Sequence, residues 1–227
     1  MCGIGTDWLK AAAENAPEMI PLEQAQDRAL IIFTKNPVLG KVKTRLARTM
    51  GDEAALAAYL EMVAHVRKVA ADVDAHRAVF YTDFIDEEDE WQRPTFEKYL
   101  QSPGDLGHRM ASAIQTMLDA GYKKVALVGS DFLDLQVQHL SRALRMLEHH
   151  DAVLGPADDG GYYLIGMRRV EPSVFSGIDW STDRVFSQTK AAIEALGWSL
   201  HTLPVVQDID EEADWHAAKK RQAERKL

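Results

Sequence analysis

The sequence of 227 residues has a single cysteine, fewer basic than acidic residues (26 against 35) and no apolar run of membrane-span length. The lone Cys2 excludes an internal disulfide, which fits a reducing compartment. A formal charge of −9 argues against a general surface for nucleic acid or anionic membranes. The N-terminus also lacks the basic and then apolar pattern of a signal peptide. We therefore expect a cytoplasmic protein that neither spans a membrane nor binds nucleic acid.

The composition and the order of apolar segments predict one α/β domain. Hydrophobic residues make up 46% and charged residues 27% of the chain, which is ordinary for a globular protein. Strands alternate with helices nearly throughout residues 29–227, which predicts a mostly parallel sheet flanked by helices on both faces. Residues 1–28 are predicted to form an N-terminal extension. Its start, Met1-Cys2-Gly3, has the pattern of some amidotransferases, but an incidental cysteine is the favoured interpretation.

Several predicted elements bear on the site. Residues 54–73 are predicted to form a long helix, and residues 182–196 another with Ser181 as its N-cap. A last strand is predicted over 200–206, before a charged terminal helix over 211–226. That helix is either a solvated face or part of a homodimer contact. The buried face of the helix predicted over residues 54–73 is expected to carry Leu56, Leu60, Val63, Val66 and Ala70.

One stretch organises the prediction of a site, an apolar run over residues 125–128 that ends in Gly129-Ser130-Asp131. Helical spacing begins at Val137, so a buried strand leads through a carboxylate into a helix. Ligands of open α/β sheets lie outside the carboxyl ends of the strands. We therefore expect Asp131 to reach into a site to which other strand ends contribute.

A basic loop follows the first predicted strand. It holds four cations in an otherwise acidic chain: Lys35, Lys41, Lys43 and Arg45. Gly40 shapes the turn and Thr44 opens a helix, whose free N–H groups suit a diphosphate. A P-loop is rejected, because Lys35 replaces its first glycine and Val42 its Ser/Thr. The alternative is a solvated basic loop, but its position directly after a buried strand favours phosphate binding.

Carboxylates follow two predicted strands. Asp131 ends one strand, with Asp134 shortly after it, and Asp208 and Asp210 end the last. Magnesium bound with a nucleotide takes one or two protein carboxylates plus phosphate oxygens and water. The alternative is that each aspartate caps the following helix, which suits Asp134 and Asp210. Combined with the basic loop, these residues favour a metal–diphosphate site.

A glycine-rich turn over residues 157–162 is a third candidate. Gly160 and Gly161 permit close approach of a ligand to the backbone, and Asp159 is suited to bind a hydroxyl or to act as a general base. An ordinary hairpin turn explains the same residues equally well.

These residues occur in an order that resembles a known family. The matching motifs are F-T-K-N-P-V-L-G-K-V-K-T-R-L at 33–46, G-D-L-G-H-R-M at 104–110, G-S-D at 129–131, G-P-A-D-D-G-G-Y-Y at 155–163, W-S-T at 180–182 and D-I-D at 208–210. They resemble a bacterial glycosyltransferase-A-like family of the nucleotide-diphospho-sugar transferase superfamily. This family is also similar to enzymes that guanylylate phospholactate. The resemblance implies a glycosyltransferase-A fold, which is Rossmann-like, and a nucleotide-binding enzyme.

The resemblance also implies residue roles. The nucleotide would contact Lys35, Gly40, Lys43 and Arg45 at its phosphates and Leu106, Gly107 and Met110 by its base. Mg²⁺ or Mn²⁺ would be held by Asp131 with Asp208 or Asp210, between which the spacing does not choose. The acceptor or sugar would face Asp159, Gly160, Gly161, Ser181 and Thr182. Catalysis would depend on Asp159, Arg45 and Lys43.

The sequence departs from the family pattern after Asp131. The pattern usually continues with Cys-Pro, whereas Phe132 and Leu133 stand here. Loss of the proline loosens the turn that aims Asp131, and Phe132 is bulkier than cysteine. Either the pocket is remodelled for another substrate, or metal binding is weakened.

We expect a magnesium-dependent transferase that uses a nucleotide diphosphate-sugar as glycosyl donor to a small-molecule acceptor. The metal, Lys43 and Arg45 would stabilise charge on the departing diphosphate. One alternative is a nucleotidyltransferase, which would join an NTP to a phosphorylated small molecule and release diphosphate. Another is a nucleotide-binding protein without catalysis. The base, the sugar, the acceptor and the oligomeric state stay open.

Overall fold

The computed structural model describes residues 27–225, so Cys2 and nearly all of the predicted extension lie outside the described residues. The strands are β1 (Arg28–Thr34), β2 (His76–Tyr81), β3 (Glu97–Leu100), β4 (Lys124–Gly129), β5 (Ala152–Pro156), β6 (Tyr162–Met167) and β7 (Leu200–Thr202). The α-helices are α1 (Thr44–Met50), α2 (Asp52–Ala71), α3 (Leu106–Asp119), α4 (Val137–Met146), α5 (Val185–Ala195) and α6 (Glu212–Glu224). A short 3₁₀ helix covers Pro172–Val174.

The strands form one sheet in the order β3-β2-β1-β4-β6-β5-β7. β6 is antiparallel to β4 and β5, and the other paired strands are parallel. β1 and β4 lie side by side at the centre, with Phe33 opposite Gly129. Their carboxyl ends therefore open at the same edge of the sheet. The predicted mostly parallel α/β domain is confirmed.

The side chains of β1 show why helices cover both faces. Leu30 and Ile32 pack on one face with residues of α2 and α4, and Ala29 and Ile31 pack on the other with residues of α3 and α5. Successive strand residues point to opposite faces, so a run that is apolar at every position needs cover on both sides. All four of these side chains are fully buried. Between residues 27 and 225, no helix has both the length and the apolar character needed to cross a bilayer.

Four local predictions were wrong. α5 begins at Val185 rather than at residue 182, and Ser181 is not its cap but adopts a positive φ of 65°. The last strand ends at Thr202 rather than at residue 206. α4 is capped by Gln136 and α6 by Glu211, so the alternative interpretation of Asp134 and Asp210 as helix caps is wrong.

The fourth wrong prediction concerns which residues of α2 are buried. Leu60 is 45% exposed, and the buried face instead includes Tyr59 and Met62. The helix is therefore rotated relative to the predicted face, and this rotation turns Tyr59 towards the carboxyl end of β1.

Candidate nucleotide and metal site

Two adjoining cavities open at the carboxyl edge of the sheet. One, here the apolar cavity, has a volume of about 360 Å³, and the other, here the charged cavity, about 630 Å³. Residues that line both are Lys35, Tyr59, Asp131, Asp159, Ser181, Thr182 and Asp208. Because they share these walls, the two cavities are parts of one site.

The apolar cavity has walls suited to a flat ring. They come from the ends of several strands and from α3, and include Phe33, Leu106, Met110, Tyr162 and Trp180. Gln101 and Arg109 add polar groups that the sequence did not single out as site residues. The side-chain Nε2 of Gln101 donates to Phe80 O at 3.0 Å, which fixes the Gln101 side chain in the wall. The cavity thus combines apolar contact area with a few polar groups, as small-molecule sites do.

The charged cavity contains more carboxylates than cations. Its lining cations are Lys35, Lys41, Lys43 and Arg45, and its carboxylates are Asp131, Asp159, Asp183, Asp208 and Asp210. The basic loop therefore does not form an isolated anion site. A phosphate that entered this cavity would meet five carboxylates as well as four cations.

Lys43 lies at the centre of this charge distribution. It is the N-cap of α1 and adopts the left-handed conformation, with φ 44° and ψ 48°. Its side chain is only 7% exposed, and its Nζ lies 2.8 Å from Asp131 Oδ2 and 3.6 Å from Asp208 Oδ1. Burial disfavours the charged ammonium, but the charges of Asp131 and Asp208 outweigh burial and raise the pKa of Lys43. Burial likewise opposes the charge of Asp131, yet Lys43 holds the pKa of that carboxyl below its usual range.

Asp208 belongs to a second group of carboxylates. Asp159, Asp208 and Asp210 each offer an oxygen, and these oxygens all lie within 4.8 Å of one another. Burial, together with the charge of Asp131, raises the pKa of Asp208 to about 6, although Lys43 acts in the opposite direction. Asp210 accepts a hydrogen bond from Arg45 Nη1 at 2.5 Å. Three converging carboxylates form an oxygen donor set that suits a hard divalent cation.

Tyr59 of α2 fixes the carboxyl ends of β1 and β4 through hydrogen bonds. Its hydroxyl donates to Lys35 O and accepts from Lys35 N–H, both at 2.9 Å. It also lies 3.3 Å from the hydroxyls of Thr34 and Ser130. These two hydroxyls are buried, and Ser130 donates to Thr34 at 3.1 Å. The network holds the backbone beside Lys35 and Asp131. It was not predicted from the sequence, because the predicted buried face of α2 excluded Tyr59.

The turn between β5 and β6 is held at three points. Asp158 Oδ1 accepts the N–H of Asp208 at 2.8 Å, and Asp159 Oδ1 accepts the N–H of Gly161 at 2.8 Å. Gly160 has φ 87°, and a Cβ there would lie 2.3 Å from Asp183 O, so only glycine fits. The turn is therefore an ordered wall of the site, and it brings Asp159 towards Asp208.

The structure brings most of the predicted site residues together. Those that line one or both cavities are Lys35, Lys43, Arg45, Leu106, Met110, Asp131, Asp159, Gly161, Ser181, Thr182, Asp208 and Asp210. Gly40, Gly107 and Gly160 line neither. Gly107 packs behind the wall, where a Cβ would lie 2.6 Å from Trp180 Cζ2.

Asp134 is also outside both cavities. Its carboxylate accepts hydrogen bonds from Arg221 and Arg225 instead. Neither interpretation of Asp134 from the sequence, a ligand or a helix cap, matches this placement.

Phe132 and Leu133, which depart from the family pattern, are buried in the core. Phe132 is 7% exposed and meets Tyr163 edge to face, with ring centroids 6.0 Å apart. Leu133 is fully buried. Asp131 still points towards Lys43, and Phe132 forms part of the apolar cavity wall. Phe132 therefore forms part of the pocket wall, and Asp131 stays in the site.

Comparison with known proteins agrees with this geometry. Residues 65–182, more than half of the chain, match the family described as "Uncharacterized protein conserved in bacteria (DUF2064)". The chain belongs to this family. The resemblance predicted from the ordered motifs is confirmed. No curated protein matches the sequence.

Solved structures identify the fold of this family. A provisionally assigned nucleotide-diphospho-sugar transferase from Desulfovibrio desulfuricans G20 has 35% identity and a TM-score of 0.76, over 82% of this chain and 83% of that one. CMP:2-keto-3-deoxy-manno-octonic acid synthetase complexed with CTP has 10% identity and a TM-score of 0.54, over 88% of this chain and 100% of that one.

A third structure, 4-diphosphocytidyl-2C-methyl-D-erythritol synthase from Anaerococcus prevotii DSM 20548, has 12% identity and a TM-score of 0.52, over 86% of this chain and 98% of that one. The likeness to the two synthases shows the fold alone. The fold is that of nucleotide-diphospho-sugar transferases and nucleotidyltransferases, which confirms the predicted fold class.

Proposed function

We propose that this protein is a magnesium- or manganese-dependent transferase that uses a nucleotide diphosphate-sugar as donor. The observation that carries the proposal is the joining of an apolar, ring-sized cavity to a charged cavity across Asp131, Asp159 and Asp208. A nucleotide sugar has the same division, with an apolar base face at one end and a diphosphate beside the sugar.

The basic loop would hold the diphosphate. Lys35 lines both cavities, and Lys43 and Arg45 line the charged one. Lys43 and Arg45 form ion pairs with Asp131 and Asp210, so phosphate oxygens would compete with these carboxylates for them. Charge-assisted hydrogen bonds of this kind place the leaving diphosphate and stabilise its charge.

The carboxylates would hold the divalent cation. Asp208 and Asp210 belong to the predicted ligand set and to the group of converging oxygens, and Asp159 completes that group. Asp131 is paired with Lys43, and it would be free to hold the cation if a phosphate took its place beside Lys43. When bound, the ion supplies positive charge next to the departing diphosphate, which the carboxylate excess of the cavity requires.

The acceptor would approach from the side of Asp159, Ser181 and Thr182, which line both cavities. One Asp159 oxygen would face the cation, and the other would orient the acceptor hydroxyl and take its proton. The acceptor oxygen would form a bond to the sugar carbon as that carbon's bond to the diphosphate oxygen breaks. The products would be the glycosylated acceptor and a nucleoside diphosphate.

A nucleotidyltransferase is the second candidate. It is favoured by the four cations of the charged cavity, which would suit a triphosphate, and by the shared fold of the two synthases. An acceptor phosphate would then attack the α-phosphate of an NTP and release inorganic diphosphate. The third interpretation, binding without catalysis, predicts ligand affinity and no product.

Thermal shift measurements separate these functions at the binding step. The panel contains NTPs, nucleoside diphosphates and nucleotide sugars, each with and without Mg²⁺. A ligand that binds only the folded state raises the transition temperature. We expect one nucleotide sugar to do so in a Mg²⁺-dependent way, and free nucleoside diphosphate to appear with an acceptor. Release of inorganic diphosphate would support nucleotidyl transfer instead of glycosyl transfer. If no ligand shifted the transition temperature, the proposed nucleotide site would be refuted.

A further inference from the structure

Helix α6 is joined to the turn after β4 through one buried carboxylate. Asp134, with a side chain 7% exposed, accepts hydrogen bonds from Arg221 Nε and Nη2 at 2.8 and 2.6 Å and from Arg225 Nη2 at 2.7 Å. These arginines lie at the C-terminal end of α6. Three charge-assisted hydrogen bonds on a buried carboxylate fix the helix end firmly against the turn.

The other end of α6 fixes the second acidic segment. Asp214, in the first turn of α6, accepts the N–H groups of Asp210 and Glu211 at 3.2 and 2.8 Å. The C-terminal end of the segment 208–210 is therefore held against the first turn of α6. One helix thus connects the segment that carries Asp208 and Asp210 to the turn that carries Asp131.

An apolar cluster supports the same loops from below. Each of the three charged segments, 35–45, 131–134 and 208–210, contributes one residue to this cluster: Val42, Leu133 and Ile209. They pack in one cluster with Tyr59, Met62 and, from α6, Ala218. The charged residues of the three segments are consequently anchored in one apolar cluster, to which α6 contributes Ala218.

We propose that Asp134 is a positioning residue of the metal site. Through Arg221 and Arg225 it keeps the turn 131–134 and the segment 208–210 in fixed relation, so that the carboxylates of both face the same cation. Asp134 lines neither cavity and acts only through these contacts. The claim that these carboxylates bind a metal rests on the proposed function. The claim that Asp134 holds the two segments in place does not.

Asp134→Asn tests the proposal, because it keeps the side-chain shape and removes the charge. The matched control is Glu61→Gln, which removes the ion pair of Lys219 with Glu61, another contact that holds α6 but connects it to α2 instead. The first measurement is amide hydrogen exchange, since Asp208 and Asp210 N–H groups are hydrogen-bonded to Asp158 and Asp214. We expect exchange about ten-fold faster over 131–135 and 208–211 in Asp134→Asn only.

The second measurement is the affinity for Mn²⁺ alone, by electron paramagnetic resonance. Loss of a partner that orients metal ligands lowers metal affinity roughly 10- to 100-fold, so we expect this loss in Asp134→Asn and not in Glu61→Gln. Arg225→Gln, which removes one of the three hydrogen bonds, should give a smaller loss and serves if Asp134→Asn folds poorly.

The outcomes are distinguishable. Equal exchange and equal Mn²⁺ affinity in Asp134→Asn and Glu61→Gln would overturn the positioning role and leave a contact that only stabilises α6. Faster exchange in Asp134→Asn with no Mn²⁺ binding by the unmodified protein would support the positioning of the loops and refute the proposed metal.

Discussion

Asp158 Oδ1 accepts the backbone N–H of Asp208 at 2.8 Å, although the two residues are separated by 50 positions in the sequence. This hydrogen bond joins the turn that carries Asp159 to the segment that carries Asp208 and Asp210. The close approach of the three carboxylates therefore depends on a neighbouring side chain that takes no part in the proposed chemistry.

Replacement of Asp158 tests this dependence. Asp158→Ala removes the acceptor, and we expect it to lower Mn²⁺ affinity about ten-fold and the free energy of unfolding by about 0.5–1.5 kcal/mol. Asp158→Asn retains an acceptor oxygen and should keep both properties near those of the unmodified protein. Titration with Mn²⁺ and urea unfolding measure the two effects. Equal affinities in the two variants would contradict the role given to this hydrogen bond.

The metal ligands can be assigned by four asparagine substitutions. Asp208→Asn and Asp210→Asn should each abolish measurable Mn²⁺ binding, and Asp159→Asn should weaken binding of the free ion. Asp131→Asn should weaken binding only when a nucleoside diphosphate is present, because Lys43 otherwise occupies Asp131 at 2.8 Å. Isothermal titration with and without the diphosphate measures these differences. Loss of free-ion binding in Asp131→Asn would place Asp131 in the ligand set of the free protein instead.

Lys43 should matter more to phosphate binding than its neighbour Lys41. We expect Lys43→Met to weaken binding of a nucleoside diphosphate with Mg²⁺ by about 1.5–3 kcal/mol, the contribution of a hydrogen bond to a charged group. Lys41 is exposed, so Lys41→Met should cost about 1 kcal/mol or less. Fluorescence titration gives both values, and a larger loss in Lys41→Met would show that the phosphates lie further out.

Gly107 should be needed for the shape of the apolar cavity. A Cβ would lie 2.6 Å from Trp180 Cζ2 and 2.8 Å from Phe175 O, so Gly107→Ala should cost about 1–3 kcal/mol and displace the indole. We also expect weaker nucleotide binding, because Trp180 lines the cavity. In Gly166→Ala the nearest atoms lie at 3.3 Å and away from the site, so affinity should stay unchanged. Thermal unfolding and nucleotide titration test both variants.

Acid should remove one stabilising contact just before the start of β5. The N–H and hydroxyl of Ser199 donate to Asp151 Oδ2 at 3.0 and 2.8 Å and hold the pKa of Asp151 below its usual range. A folded-state pKa below the unfolded one stabilises the protein above about pH 4. This contribution is lost as the pH falls through the folded pKa.

Ser199→Ala should therefore be less stable than the unmodified protein at pH 7, with a difference that shrinks below about pH 4. Ser176→Ala, which removes a hydroxyl that donates to Pro172 O, should show no such pH dependence. Urea unfolding across pH 3–7 measures both. A Ser199→Ala difference that is constant with pH would contradict the assigned cause.

Features encoded by local sequence were predicted well, and those that depend on distant residues were not. The runs of β1 and β4 are apolar at nearly every position, so their burial on both faces follows from composition alone. The ordered motifs likewise placed Asp131, Asp159 and Asp208 around one site. The ligand roles of these residues stay predictions.

Three features of the site could not be predicted in this way. The pairing of Lys43 with Asp131 depends on a left-handed backbone at a lysine, which the sequence does not favour. The role of Tyr59 depends on the rotation of α2, because leucine spacing alone placed Leu60 on the buried face. The contact of Asp134 with Arg221 joins residues 87 positions apart, and no local pattern indicates it.

The antiparallel insertion of β6 between β4 and β5 has a consequence for synthesis of the chain. A nascent chain that has reached residue 129 can pair β1 with β2 and β4, but β4 has no partner on its other side until residue 167 has emerged. Translation runs from the N-terminus, so Lys43 and Asp131 are made long before Asp208 and Asp210. The residues that would bind phosphate are thus made first, and Asp208 and Asp210, two of the carboxylates that would hold the ion, are made last among the site residues.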